Sequence, residues 1–112
     1  MKNTNKDFYC ENILSGHLPV KKVEETKHVL AYYHTQPQWP VHIVVIPKFH
    51  VKSLLEFNDG EDELMGEMMD VLKKVVRMVK GKYGGCRLTT NFGKYQETKH
   101  LHWHIYISDD MA

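Results

Sequence analysis

The chain is poor in cysteine: Cys10 and Cys86 stand alone in 112 residues, with no Cys-x-x-Cys pair and no even framework. A disulfide scaffold is thereby excluded, and two reduced, buried thiols in a reducing compartment are the simplest expectation. Long apolar runs are also missing, the longest purely aliphatic one being Ile43 to Ile46. That is far short of a membrane span, and the polar stretch Met1 to Cys10 has no signal-peptide core, so a cytoplasmic protein with no membrane partner is expected. Neither charge sign dominates: 15 Lys and Arg face 14 Asp and Glu, for a formal net charge of +1. Nucleic acid is not an expected partner of so balanced a chain, although a small phosphorylated ligand is compatible with it. Repeats, low-complexity tracts and composition breaks are absent as well, which leaves a single domain over 1–112 with its core at about 9–107.

What the chain has is histidine, eight in all. Three of them, His100, His102 and His104, occupy alternate positions in His-Leu-His-Trp-His-Ile-Tyr-Ile. In a strand these share one face while Leu101, Trp103 and Ile105 pack on the other. Neighbouring histidines then have Cα atoms roughly 6.6 Å apart and the outer two about 13 Å apart, so one metal ion can take two of them but hardly three. Neutral imidazole near pH 7 is also a nucleophile toward phosphorus, with its neighbours placed to bond phosphoryl oxygens or to pass a proton. A His-x-His pair completed by His42 or His50 is equally a way to hold catalytic zinc, and on the triad alone both readings stand. His17 and His28 have no such companions and read as surface residues.

The remaining pattern predicts an α+β domain. Glu11 to Ser15 reads as a short helix stopped at Gly16; Val20 to Glu24 and His28 to Tyr33 read as strands around the charged turn Glu25 to Lys27. The loop Thr35 to Pro40 carries two prolines, and the β-branched run Val41 to Ile46 reads as a central strand closed by Pro47. After an N-cap in Asn58-Asp59-Gly60, apolar residues keep helical spacing from Leu64 to Val79, with Gly81 as the expected stop. Lys73, Lys74, Arg77 and Lys80 form a solvated, dipole-compatible face near its end. Cys86 to Asn91 and about Lys99 to Ile107 are the last two strands.

Gly16-x-x-Pro19, Pro37-x-x-Pro40, the strand running into Ile46-Pro47-Lys48-Phe49-His50 and the His100 triad, in that order, resemble the histidine triad (HIT) family over about Tyr9 to Ile107. Its Hint-like branch, with nucleoside phosphoramidases and the related diadenosine polyphosphate hydrolases, is the most similar. The resemblance implies an antiparallel five-stranded sheet with one long helix and a short N-terminal helix, a homodimer, and no required cofactor. It implies hydrolysis at the α-phosphate of a purine nucleotide through a covalent nucleotidyl-histidine, releasing a nucleoside monophosphate. His102 falls on the nucleophile, flanked by His100 and His104, with His42 lining the site and Asn91 and Gln96 near the phosphate. By residue type alone, Asn91 reads equally as a strand-end cap and Gln96 as a loop amide. Ile13, Leu18 and Tyr32 fall on base-pocket positions, although residue type alone favours core for them. Where an acidic residue usually meets the ribose, this chain has His34 followed by Thr35, which exchanges a charge-assisted acceptor for a neutral one. Glu97 stands where the branch often has Ser, and a carboxylate there repels phosphate unless it points away or is protonated. Some relatives carry a zinc site of cysteines and histidines. Cys10 lacks a paired cysteine, so no structural metal is expected. The alternatives are a catalytically weak nucleotide-binding regulatory protein and a metal-dependent hydrolase using two triad histidines.

Overall fold

The computed structural model describes residues 7–57 and 61–108. A helical turn, Tyr9–Ile13, precedes β1 (Lys22–Glu25), β2 (Val29–Tyr33) and β3 (Val41–Pro47); the helix α1 (Asp62–Tyr83) then leads to β4 (Arg87–Thr90) and β5 (Trp103–Ile107). The strands form one antiparallel sheet in the order β1-β2-β3-β5-β4. This is the α+β architecture expected from the sequence. No helix among the described residues is long and apolar enough to cross a membrane.

The sheet separates two apolar layers. Val29, Ala31, Ile43, Val45, Leu101, Trp103, Ile105 and Ile107 pack against Met68, Val71, Leu72, Val75 and Val79 of α1. Helical spacing puts those five on one stripe, and the period-2 alternation of β3 and β5 supplies the matching face. On the opposite face Leu30, Tyr32, Val44 and Ile46 pack against Tyr9 and Ile13 of the N-terminal turn. That second layer is thin, and the strand residues beyond it form the floor of a cleft.

Several boundaries differ from the sequence reading. The helix passes through Gly81 and ends at Gly84, whose φ of 91° is left-handed and whose N–H reaches the Lys80 carbonyl at 2.8 Å. Glycine tolerates that φ without the steric cost a Cβ brings, which makes Gly84 the true stop. The expected cap at Asn58-Asp59-Gly60 lies outside the described residues. Strand geometry in β5 begins only at Trp103, so His100 and His102 belong to the approach to the strand. His28 is not a free surface residue: its backbone N–H and Nδ1 both meet the Glu67 carboxylate, at 2.7 and 2.8 Å, tying the β1–β2 turn to α1.

Candidate active site

On the sheet face opposite α1 lies a cleft of about 620 Å³, lined by Leu18, Tyr32, His34 and Thr35 toward β2 and by Thr89, Asn91, Tyr95 and Glu97 toward β4. His42, His102 and His104 stand between these walls, and the stacked pair Trp39 and Tyr106, 3.8 Å between centroids, closes the end past His104.

Backbone groups fix the tautomers of His102 and His42, and through His42 that of His104. The carbonyl of His100 can only accept, and it lies 2.7 Å from His102 Nδ1. The proton therefore sits on Nδ1, and His102 Nε2 keeps its lone pair. Thr90 Oγ1 donates to the His102 carbonyl at 2.7 Å and holds the main chain in place. The N–H of Gln38 donates to His42 Nδ1 at 3.3 Å, so His42 carries its proton on Nε2, and this N–H donates a hydrogen bond to His104 Nδ1 at 2.8 Å. His104 is thereby left with an Nε2–H donor. Neighbouring imidazoles thus present opposite functions, one lone pair and one donor, as nucleophilic attack on a phosphoryl group requires.

Burial keeps this set neutral. It lowers His42 to about 3, helped by His34 and His104, and His104 to about 4, helped by His102 and His34. Burial also lowers His102, against the upward pull of its bond to the His100 carbonyl. His34 is lowered by burial alone. Its Nδ1 accepts from the Gln36 N–H at 2.9 Å, leaving Nε2–H as a donor toward the cleft. The acceptor role open to His34 from sequence is therefore already taken, and a ligand hydroxyl would have to accept from this ring.

The other expected residues divide. Leu18, Tyr32, Thr35 and Asn91 line the cleft, but Ile13 is buried in the N-terminal layer and borders a separate hollow. Gln96 is buried too, its amide donating to the Lys52 carbonyl at 2.6 Å, which pins the loop before His100. His100 is fully buried and faces away from the cleft: Nε2–H donates to the Pro47 carbonyl at 3.0 Å, and Nδ1 faces Asp7 Oδ2 at 3.0 Å and Cys10 Sγ at 3.4 Å. A direct bond from His100 to a phosphoryl oxygen is not available in this arrangement.

Asp7, which the sequence reading overlooked, joins Cys10 and His50 around Nδ1 of His100. Asp7, Cys10, His50 and His100 offer one donor atom each, all within 4.8 Å of one another. Burial raises the Asp7 carboxyl, but the Cys10 N–H and the facing imidazoles of His100 and His50 outweigh it and hold it below its usual value. Burial and then the Asp7 carboxylate push the Cys10 thiol up to about 11. A thiol, two imidazoles and a carboxylate at this spacing fit a tetrahedral zinc-like cation, with the Pro47 carbonyl orienting His100 from outside. The expectation of an incomplete site counted cysteines alone; Asp7 occupies the gap left by the absent second thiol. An ion held there would tie the N-terminal turn to the start of the triad.

A helix on one face of five antiparallel strands and a histidine cluster on the other define the class of histidine triad proteins. The HIT domain family model matches residues 15–111, and the chain belongs to the HIT family. An uncharacterized HIT-like protein of Helicobacter pylori is 39% identical over 101 residues, 88% of this chain and 94% of the relative. Among solved structures, a HIT family hydrolase from Legionella pneumophila is 31% identical with a TM-score of 0.75, covering 90% of this chain and 92% of that one. A hypothetical histidine triad nucleotide-binding protein from Sulfolobus tokodaii is 32% identical with a TM-score of 0.76, covering 87% and 66%.

Proposed function

We propose that this protein hydrolyses nucleoside 5′-phosphoramidates or dinucleoside polyphosphates at the α-phosphate, through a covalent nucleotidyl intermediate on His102. The observation that carries the reading is the Nδ1–H bond of His102 to the His100 carbonyl, which leaves a neutral Nε2 lone pair on a ring that lines the same cleft as His104 and Asn91. The hydrolase and nucleotide-binding descriptions of the Legionella and Sulfolobus neighbours support the same chemistry.

In the proposed cycle a purine nucleoside lies over Leu18, Tyr32, His34 and Thr35. His102 Nε2 attacks phosphorus, the bond to the leaving group breaks, and a leaving nitrogen takes up a proton from water. The positive charge that develops on His102 strengthens its bond to the His100 carbonyl, and His104 Nε2–H and Asn91 stabilise the non-bridging oxygens. Water then attacks phosphorus, the P–N bond to His102 breaks, and the water's second proton returns to solvent. His100 acts as a positioning residue whose carbonyl sets the tautomer of His102. A catalytic metal on two triad histidines has less support, because the metal-like donor cluster among the described residues includes neither His102 nor His104.

A homodimer is part of the reading. The edge strand β4 borders a groove of about 430 Å³ whose apolar lining, Met69, Leu72, Val76, Leu88 and Trp103, is flanked by Lys73, Arg77 and Lys80, and among the described residues the buried Trp103 Nε1–H has no acceptor. A second copy would cover the groove and pair the edge.

The test is turnover of a fluorogenic adenosine 5′-phosphoramidate with a chelator present. Chelator-resistant turnover that falls by about 10³-fold or more in His102→Ala is expected. Nucleotide binding without turnover would favour the regulatory protein, and turnover restored only by zinc would favour the metal hydrolase.

A further inference from the structure

The β4 wall of the cleft carries an unpaired carboxylate. Glu97 is exposed and lines the same space as His102 and His104. Among the described residues it joins no ion pair. The nearest lysines in the chain are engaged elsewhere: Lys99 Nζ donates to the carbonyls of Gly93 and Gln96, both at 2.7 Å, and Lys94 Nζ stands 5.7 Å over the Tyr95 ring. Among the described residues no lysine or arginine lines the cleft, and its four histidines are held toward the neutral form. Glu97 is thus the one Asp, Glu, Lys or Arg among the described residues that line the cleft, and a cleft focuses the field of such a charge.

Strand order gives that charge a place relative to the substrate. With the nucleoside over the β2 wall and phosphorus at His102, which immediately precedes β5, the group leaving the phosphorus faces β4 and the turn Gly93–Tyr95. There it meets Asn91, Tyr95 and Glu97. The Tyr95 ring is 74% exposed and already takes an ammonium over its face, so this wall combines a carboxylate with a cation-binding aromatic.

We infer that Glu97 selects the leaving group: the cleft favours nucleoside 5′-phosphoramidates whose amine carries a second, protonated amino group, and disfavours polyphosphate leaving groups. This rests on the hydrolase reading above. His102 Nε2 forms its bond to phosphorus as the P–N bond to the amine breaks; the amine nitrogen keeps the electron pair and takes a proton from water, while the distal ammonium remains beside Glu97 throughout.

The experiment compares kcat/KM for adenosine 5′-phosphoramidates of 1,4-diaminobutane and of n-pentylamine, which match in length and differ by one charge. Wild type should prefer the charged amine by about tenfold, the scale of one partly screened ion pair. The ratio should collapse toward one in Glu97→Gln, invert in Glu97→Lys and shrink as ionic strength rises. A merely structural role for Glu97 would lower both substrates in proportion and leave the ratio in place. An equal ratio in wild type and Glu97→Gln overturns this assignment while the hydrolase reading stands. Failure of wild type to turn over either substrate overturns both.

Discussion

Acidification from pH 7 to about pH 5 tests how much the neutral histidine pair beneath the cleft contributes to stability. Burial lowers His42 to about 3 and His104 to about 4, against an ordinary value of 6.5. Between the folded and unfolded values the unfolded chain binds more protons, so the stabilisation is fully present above about 6.5 and is lost as pH falls below it. Linkage gives a loss of about 1.8 kcal/mol per such site over this interval; because both rings border an open cleft, screening reduces that to about 1 kcal/mol each, about 2 for the pair. Urea unfolding followed by the fluorescence of Trp39 and Trp103 at pH 7, 6 and 5 measures it. The double variant His42→Asn/His104→Asn, measured in parallel, cancels the titration of every other group. The expected result is a wild type that loses about 2 kcal/mol more than the double variant on acidification. Equal slopes in the two proteins would refute the placement of a neutral, mutually bonded pair.

Three further outcomes follow from the packing and the edge. Ile43 is fully buried between β3 and α1, so Ile43→Ala should cost about 3 kcal/mol in the same urea assay, and a loss below about 1 kcal/mol would contradict that core. Leu88→Glu places a charge in the groove beside β4 and should convert a dimer to monomer by light scattering, with unchanged mass counting against that face. Added zinc should raise the melting temperature of wild type but not of Asp7→Ala, and an equal rise in both would remove Asp7 from the donor set.

The alternation around the triad placed Leu101, Trp103 and Ile105 against the helix, where the structure has them, because a period of two survives any shift of strand ends. The run Val41 to Ile46 was legible as the central strand because Ile43 to Ile46 are β-branched and apolar on both faces, as a strand covered on both sides requires. The helix stop was not legible, since apolar spacing ends at Val79 and gives no means of choosing between Gly81 and Gly84. Of the site, His102, His104 and His42 were recognisable, but spacing alone made His100 their equal. Its separate role comes from contacts to Asp7 and Pro47, 93 and 53 positions away, which no local pattern encodes. The tautomers were hidden for the same reason, being set by the backbone groups of Gln36, Gln38 and His100. Gln96 looked like a loop amide open to phosphate, whereas its bond to the Lys52 carbonyl spans 44 positions.

The central claim is that His102 Nε2 attacks phosphorus. Intact-protein mass spectrometry of wild type and His102→Ala, quenched during turnover of an adenosine 5′-phosphoramidate with a chelator present, tests it most directly. The account predicts a nucleotidyl adduct on wild type that maps to His102 and is absent from the variant. Turnover by wild type with no adduct at any quench time, or an adduct that persists in His102→Ala, would contradict it.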